Sequence, residues 1–395
     1  MAKQAVLVIV GVAVLAAIAP SAAAARGVDL SQAAGVHEIT LTRGATVLDY
    51  DGDGWDDVLI GRHYAGFPRL YRNNGAGGFQ DVTDFAFPLD ERGIRDPHEC
   101  ASADVNIDGR TDLYCTAGGS RGLRPNPSRL WIQGGDGKFK ELTDRYGVAD
   151  QWGRGRRATF VDANGDPYPD LYVGNAYPRR DGRRSPNRLF LNDHGEKFVR
   201  GTDFGLDREI GADSLQAVDY DRDGREDIFL CGKEGIRLYR NMGNRYREVT
   251  LAQRAAMNCE SALLANMNRD RRPDLIRVTR SSLRVHLYGD GGFRKPRYRL
   301  KRPGGREAAV GKINGDALAD IYFLRSGPPD RDARDLALIN RRGGHWFARV
   351  PIPQSREGMG EAVEAIDYDA DGRTEFIVMN GHRKWPGPIR LIGFR

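Results

Sequence analysis

Cysteine, histidine and methionine are all scarce in this chain: four, seven and six residues among 395. No two cysteines stand as Cys-x-x-Cys, which excludes a zinc ribbon or a thioredoxin-type redox pair. There is no His-Glu-x-x-His and no glycine-rich loop ending in Gly-Lys-Ser/Thr, so zincin and P-loop chemistry are excluded as well. After residue 25 no apolar run is long enough to cross a membrane as a helix. A chain of this length would ordinarily divide into two or three domains.

What is abundant is acid in a fixed spacing. A loop of the form Asp-x-Asp/Asn-x-Asp-Gly-x-x-Asp, or a degraded copy, recurs about every 46 to 58 residues, beginning at Asp49, Asp104, Asp162, Asp219, Asn266, Lys312 and Asp367. A period of this size marks a repeat architecture. Oxygens at loop positions 1, 3, 5 and 9 make a cage for a hard divalent cation, Ca²⁺ above all. Four copies are complete: Asp49, Asp51, Asp53, Asp57; Asp104, Asn106, Asp108, Asp112; Asp162, Asn164, Asp166, Asp170; and Asp219, Asp221, Asp223, Asp227. A fifth, Asp367, Asp369, Asp371 and Glu375, ends in a longer acid. Asn266, Asn268, Asp270 and Asp274 form a weaker set, with Arg271 where glycine eases a left-handed turn. Lys312 replaces the first acid of the sixth copy, which is expected to hold no ion. Asp, Asn and Gly are also ordinary turn formers, but five well-formed copies in register outweigh that reading.

The flanks of each loop are strand-like rather than helical, as in Ala45-Thr-Val-Leu48 and Val58-Leu-Ile60. Each period also holds an Arg-Leu-aromatic run (Arg69-Leu70-Tyr71, Arg129-Leu130-Trp131, Arg188-Leu189-Phe190, Arg237-Leu238-Tyr239). A further run goes from an aromatic to Thr (Phe79 to Thr83, Phe139 to Thr143, Tyr246 to Thr250). Four short antiparallel strands repeated seven times predict an all-β, seven-bladed β-propeller occupying residues 26–395 as one domain. The last repeat stops after three strands, so Val36-His-Glu-Ile-Thr40 is expected to supply the fourth and close the ring.

These repeats resemble the FG-GAP/VCBS family of integrin-like calcium-binding propellers, over essentially everything from Val36 onward. The resemblance implies the fold and calcium. It implies no single activity, because the family includes adhesion modules, lectins and some enzymes acting on polysaccharides or lipids.

Residues 1–25 carry one charge, Lys3, then an uncharged stretch from Ala5 to Ala19, Pro20 and a run of small residues. This reads as a secretory signal cleaved near Ala24 or Ala25, with an uncleaved anchor as the alternative. A secreted or cell-envelope location follows, with no membrane span once the signal is lost. Cys100 and Cys115 flank one acidic loop and can face each other across its hairpin, while Cys231 and Cys259 lie in adjoining repeats. Disulfides Cys100–Cys115 and Cys231–Cys259 are expected in an exported chain, buried free thiols being the alternative.

Inner strands of a propeller line its channel. The residue six before each loop start marks the channel mouth: Arg43, His98, Arg156, Asp213, Glu260, Arg306 and Glu361. All seven are ionisable, forming either a solvated, self-paired rim or a polar funnel for a ligand. Connections between second and third strands open on this face; they read as long in the first three repeats, short in the next two and longer again in the last two. Tyr64, Phe67, Trp152, Tyr177 and Trp385 are loop aromatics able to stack on sugar rings. Net charge is +6, or +5 without Lys3, with the densest basic runs at Gly153 to Arg157 and around Arg179-Arg180 and Arg183-Arg184. Export makes an anionic glycan or an extracellular protein the expected partner rather than nucleic acid. The reading is a monomeric binding module. The alternative is a polysaccharide lyase or hydrolase using His98 with Glu99, Asp213, Glu260 and the arginines.

Overall fold

The computed structural model describes residues 25–63, 66–94, 96–118, 125–176, 185–249, 259–289, 292–327, 334–353, 359–382 and 385–395. Seven antiparallel meanders of four strands form the blades of a propeller. Blade 1 runs Thr42–Leu48, Asp57–Arg62, Arg69–Asn73 and Phe79–Asp81, from the channel outward. The other inner strands are Pro97–Ala103, Gly155–Val161, Ser214–Val218, Ser261–Ala265, Gly305–Gly311 and Gly360–Ile366.

Second strands are apolar on both faces because each blade is sandwiched between two others. In Val58-Leu59-Ile60, Val58 and Ile60 pack toward blade 7 while Leu59 packs toward blade 2. One apolar cluster fills each blade interface, seven in all. Each fully buried Leu, Ile or Phe in them contributes roughly 1.5–3 kcal/mol. Side-chain amides at the ends of third strands stitch one blade to the preceding one. Asn73 donates to the Tyr368 carbonyl at 2.9 Å, Gln133 to Tyr50 at 2.9 Å, Asn192 to Val105 at 2.9 Å and Asn340 to Met267 at 2.8 Å.

An N-terminal strand does complete blade 7, but its main part lies earlier than expected. Gly27–Asp29 pairs with Ile392–Phe394 at the end of the long third strand, whereas Ile39–Thr40 adds a two-residue pairing at Gly387 and Pro388. The reason is local chemistry shared with the other blades. After a fourth strand, an acid caps the next turn and a hydroxyl accepts from the third strand: Asp81 and Thr83 on Leu70, Glu141 and Thr143 on Leu130. Asp29 and Ser31 do the same on Leu391. The arginine opening the Arg-Leu run of three of these blades pairs with that acid, Arg69 with Asp81, Arg129 with Glu141 and Arg390 with Asp29. Val36 is instead fully buried in the cluster between blades 7 and 1.

Both cysteine pairs are bonded, Cys100–Cys115 directly across the blade 2 hairpin and Cys231–Cys259 between blades 4 and 5. The expected longer connection in blade 7 is corrected: its second and third strands pair as far as His382 and Trp385, leaving two residues between them. Among the described residues, no helix is long and apolar enough to cross a membrane.

Candidate functional site

Two features face opposite ends of the inner strands: the acidic loops where these strands leave, and the channel mouth where they enter. In the first loop, Asp49 accepts from the Gly52 and Gly54 amides at 2.8 and 3.0 Å, and Asp53 from Trp55 at 3.0 Å. Gly54 takes φ 84°, and Gly109, Gly224 and Gly372 match it, while Arg271 is forced to φ 67° at the same position of the fifth loop.

The ninth residue behaves differently from the other three. Asp57 is fully buried and accepts from the Tyr50 amide at 2.8 Å and the Asn73 amide at 2.6 Å. Asp112, Asp170, Asp227 and Asp274 repeat this pair of bonds. So does Asp320 of the degraded loop, while Glu375 accepts from Tyr368. Burial pushes Asp57, Asp112, Asp170, Asp227 and Glu375 up to about 7, against the opposing pull of these amides.

Asp49, Asp51 and Asp53 bring ligand oxygens within 4.8 Å of one another, as do Asp219, Asp221 and Asp227, and Asp367, Asp369 and Glu375. Asn106 Oδ1, Asp221 Oδ1 and Asn266 Oδ1 are buried and without a hydrogen-bond partner among the described residues. Arg72 pairs with Asp51 and Asp53, Arg240 with Asp221 and Asp223, and Arg110 with Asp108. Asn164 donates to Asp166 at 2.6 Å, and Asn268 to Asp270 at 2.9 Å. Asp104 accepts from the Asp108 and Gly109 amides, Asp162 from Gly165, and Asp371 from Arg373. Lys312 is exposed and makes no ion pair among the described residues.

At the other end, Arg43, His98, Arg156, Asp213, Glu260, Arg306 and Glu361 all line one cavity of about 670 Å³. The inner strands aim them there through irregularities in register. Arg43, His98, Arg156, Arg306 and Glu361 each fall inside a bulge of their strand, between Thr42 and Ala45, Pro97 and Cys100, Gly155 and Arg157, Gly305 and Glu307, and Gly360 and Ala362. A bulge turns an extra side chain out of the ladder, here into the lumen.

The ring is electrostatically uneven. On blades 5, 6, 7 and 1 the charges satisfy one another: Glu361 accepts from Arg43 and Arg306 at 2.7 Å each, and Glu260 from Arg280 at 2.8 Å with Arg306 at 3.7 Å. On blades 3 and 4, Arg156 has no carboxylate in ion-pair contact among the described residues, nor has Asp213. Arg156 instead touches His98, whose Nδ1 is bonded to the Gly155 carbonyl. Burial and the neighbouring Arg43 and Arg154 push Arg156 down to about 9. Burial, then Arg156 and Arg43, hold His98 well below its ordinary value, so it is neutral. Gly118 sits against this ring, where a Cβ would lie 2.1 Å from His98 Cε1.

Sequence reasoning missed His63, Asp96, Arg154, Lys233 and the second tier of the channel. Asp96 adopts φ 55°, uncommon for a non-glycine residue, and pairs with His63. His63, Asp96 and His98 have metal-ligand spacing. Arg156 Nη1 already lies 2.8 and 3.0 Å from the two ring nitrogens of His98, so a like charge stands at the position a cation on His98 would need. Deeper, Arg157 of blade 3 pairs with Glu99 of blade 2 and, at 2.8 Å, with Glu307 of blade 6. Glu364 beside them is raised to about 8 by enclosure and by Glu307. The signal was present in Arg156-Arg157 and Arg306-Glu307, whose second members follow the ring residues.

Of the loop aromatics, Phe67 is corrected to ordinary packing, edge-on to Phe87 and Trp131. Trp152 and Trp385 are exposed, while Tyr64, Tyr177 and the arginines at 179–184 lie outside the described residues. The same is true of most of the long connections in the first three repeats.

The chain is similar in fold to a lectin from Agrocybe aegerita that recognises non-reducing terminal N-acetylglucosamine, at 18% identity and TM-score 0.53 over 86% of each chain. It is likewise similar to BBS1N, solved in complex with ARL6DN, at 13% identity and TM-score 0.53 over 91% of this chain and 94% of that one. No curated protein matches it in sequence. The model of the FG-GAP-like repeat matches residues 49–115, 104–173, 162–230 and 219–276, each match starting at one acidic loop and running into the second strand of the next blade. With these matches covering more than half of a seven-bladed meander, the chain belongs to the FG-GAP-like repeat family.

Proposed function

We propose that the protein is an exported, calcium-braced propeller that captures a glycan or an extracellular protein on its channel mouth. The observation that carries the reading is the ring of seven ionisable side chains gathered into one cavity, five of them aimed there by bulges. Concave sites carried by a rigid scaffold are where ligands are commonly held, and the charged lining here suits a polar ligand. The lectin fold neighbour supports a glycan, as do Trp152 and Trp385, which are 39% and 57% exposed.

The four complete loops and the fifth that ends in Glu375 would hold calcium through their first, third, fifth and ninth residues. Their fit rests on clustered carboxylates and on the partnerless oxygens of Asn106 and Asp221. Bound there, the ion would neutralise crowded acids and brace the loop. Arg72 and Arg240 would give up contacts to Asp51, Asp53, Asp221 and Asp223 on binding. Export rests on the apolar N-terminal segment and the two disulfides.

A glycan array in calcium, followed by a chain-shortening assay on each hit, tests the reading. Binding lost on Asp213→Asn without turnover supports it. Turnover abolished by His98→Ala would replace it with the enzyme reading, although Glu99 and Glu260 are already committed to Arg157 and Arg280.

A further inference from the structure

The mouth is not a uniform polar ring, and its unevenness identifies the chemistry it receives. Around blades 5, 6, 7 and 1 every ring charge is met by an opposite one, so that arc has no electrostatic capacity to spare. The arc on blades 3 and 4 differs. Arg156 presents a guanidinium to the cavity and Lys233 lines the same wall exposed, both without an ion pair among the described residues, and Asp213 stands near enough to attract Arg156 while making no ion-pair contact with it. Asp96, the remaining nearby acid, is occupied by His63.

We infer that this arc binds a carboxylate-bearing sugar, a uronate, with the carboxylate on Arg156 and Lys233 and a ring hydroxyl on Asp213. A guanidinium is a planar fork that meets a carboxylate through two parallel N–H···O bonds. The neutral His98 packed against Arg156 restricts the side chain without offering it a counter-charge. Lys233 adds a second positive point on the rim. Asp213 is acceptor-only when ionised, which suits the hydroxyls of the same ring and disfavours a second acid group on that side. The position is held from behind, because Arg157 Nε donates to the Asp213 carbonyl at 3.1 Å and the Asp213 amide donates to Cys231 at 2.8 Å. A uronate therefore meets a partly enclosed cation already fixed in place, so little rearrangement opposes binding.

This inference rests on the mouth being the binding face, and the experiment separates the two. Calorimetric titrations of the full chain in calcium would use glucuronate, galacturonate, mannuronate and guluronate, each beside its neutral parent sugar and a sulfated counterpart. At least one uronate is expected to bind tenfold or more tightly than its neutral parent and more tightly than the sulfate ester. Arg156→Gln is expected to bring the uronate-to-neutral ratio close to one, Arg156→Lys to retain part of it, and Asp213→Asn to weaken acid and neutral sugar alike. Lys233→Gln, on an exposed side chain that folding does not need, is expected to lower uronate affinity severalfold. Equal affinity for acid and neutral sugars, weakened by Asp213→Asn, would overturn the uronate assignment and leave the mouth as the binding face. A preference for the sulfate ester would overturn it in the same way. Sugar binding indifferent to Arg156→Gln, Lys233→Gln and Asp213→Asn would overturn both, and no binding of any sugar would overturn the uronate assignment while leaving a protein ligand for the mouth.

Discussion

The first and sixth acidic loops differ in their first residue, Asp49 against Lys312, yet share their last. Asp57 and Asp320 are both fully buried, and both accept an amide from the loop's second residue and one from the end of the third strand. Within one nine-residue motif, two jobs are therefore separable. The ninth acid holds the backbone in both loops, and the first residue, an acid in one and an ammonium in the other, is where the proposed cation site would be made or lost. A loop that has lost its first acid keeps its strut because two buried amides would otherwise be orphaned.

The largest effect should come from the strut. Asp320→Ala is expected to cost about 3 kcal/mol or more, since each orphaned buried amide costs about 1–3 kcal/mol. Asp57→Ala should cost the same in chelator and more in calcium, as urea unfolding would measure. A negligible cost at Asp320 would break the comparison. Next is the ion itself. Chelation is expected to lower the melting temperature, with about 2.7 kcal/mol lost per site filled at a hundred times its dissociation constant. Asp221→Ala should remove part of that difference and Lys312→Ala none, and equal effects would contradict the ranking of the loops.

A third test sharpens what the strut's hydrogen bonds contribute. Glu364 is also enclosed but accepts no hydrogen bond among the described residues, and its folded value is raised from 4.5 to about 8. A raised carboxyl contributes stability below its unfolded value and loses it as pH climbs to the folded one. Glu364→Gln should therefore leave the melting temperature nearly unchanged near pH 4 and raise it relative to the native chain near pH 9. The smallest effect is at the fifth loop. Arg271 holds φ 67° where four of the loops have glycine, so Arg271→Gly is expected to stabilise by about 1 kcal/mol in chelator.

Much of this architecture was legible because it is periodic. The loops, the Arg-Leu runs and the fixed offset to the ring identified blades, strand order and mouth residues without any tertiary information. The closing strand was misplaced because Val36 to Thr40 imitates the aromatic-to-Thr run, while the governing signal is shorter: an acid followed two residues on by a hydroxyl, as in Asp81 to Thr83 and Asp29 to Ser31. The strut role of the ninth acid was hidden because one residue type serves both an ion and an amide. Pairings across the lumen, Arg157 with Glu307 above all, join blades 150 residues apart and leave no trace in local spacing. His63 and Asp96 come from irregular connections, where repeat logic is silent.

Calcium titration of the chelator-stripped full chain is the most direct measurement. Saturable binding is expected at the four complete loops and the one ending in Glu375, with a matching rise in melting temperature that Asp49→Ala and Asp221→Ala each reduce by one site. A chain that takes up no calcium, and melts identically with and without it, would contradict the account.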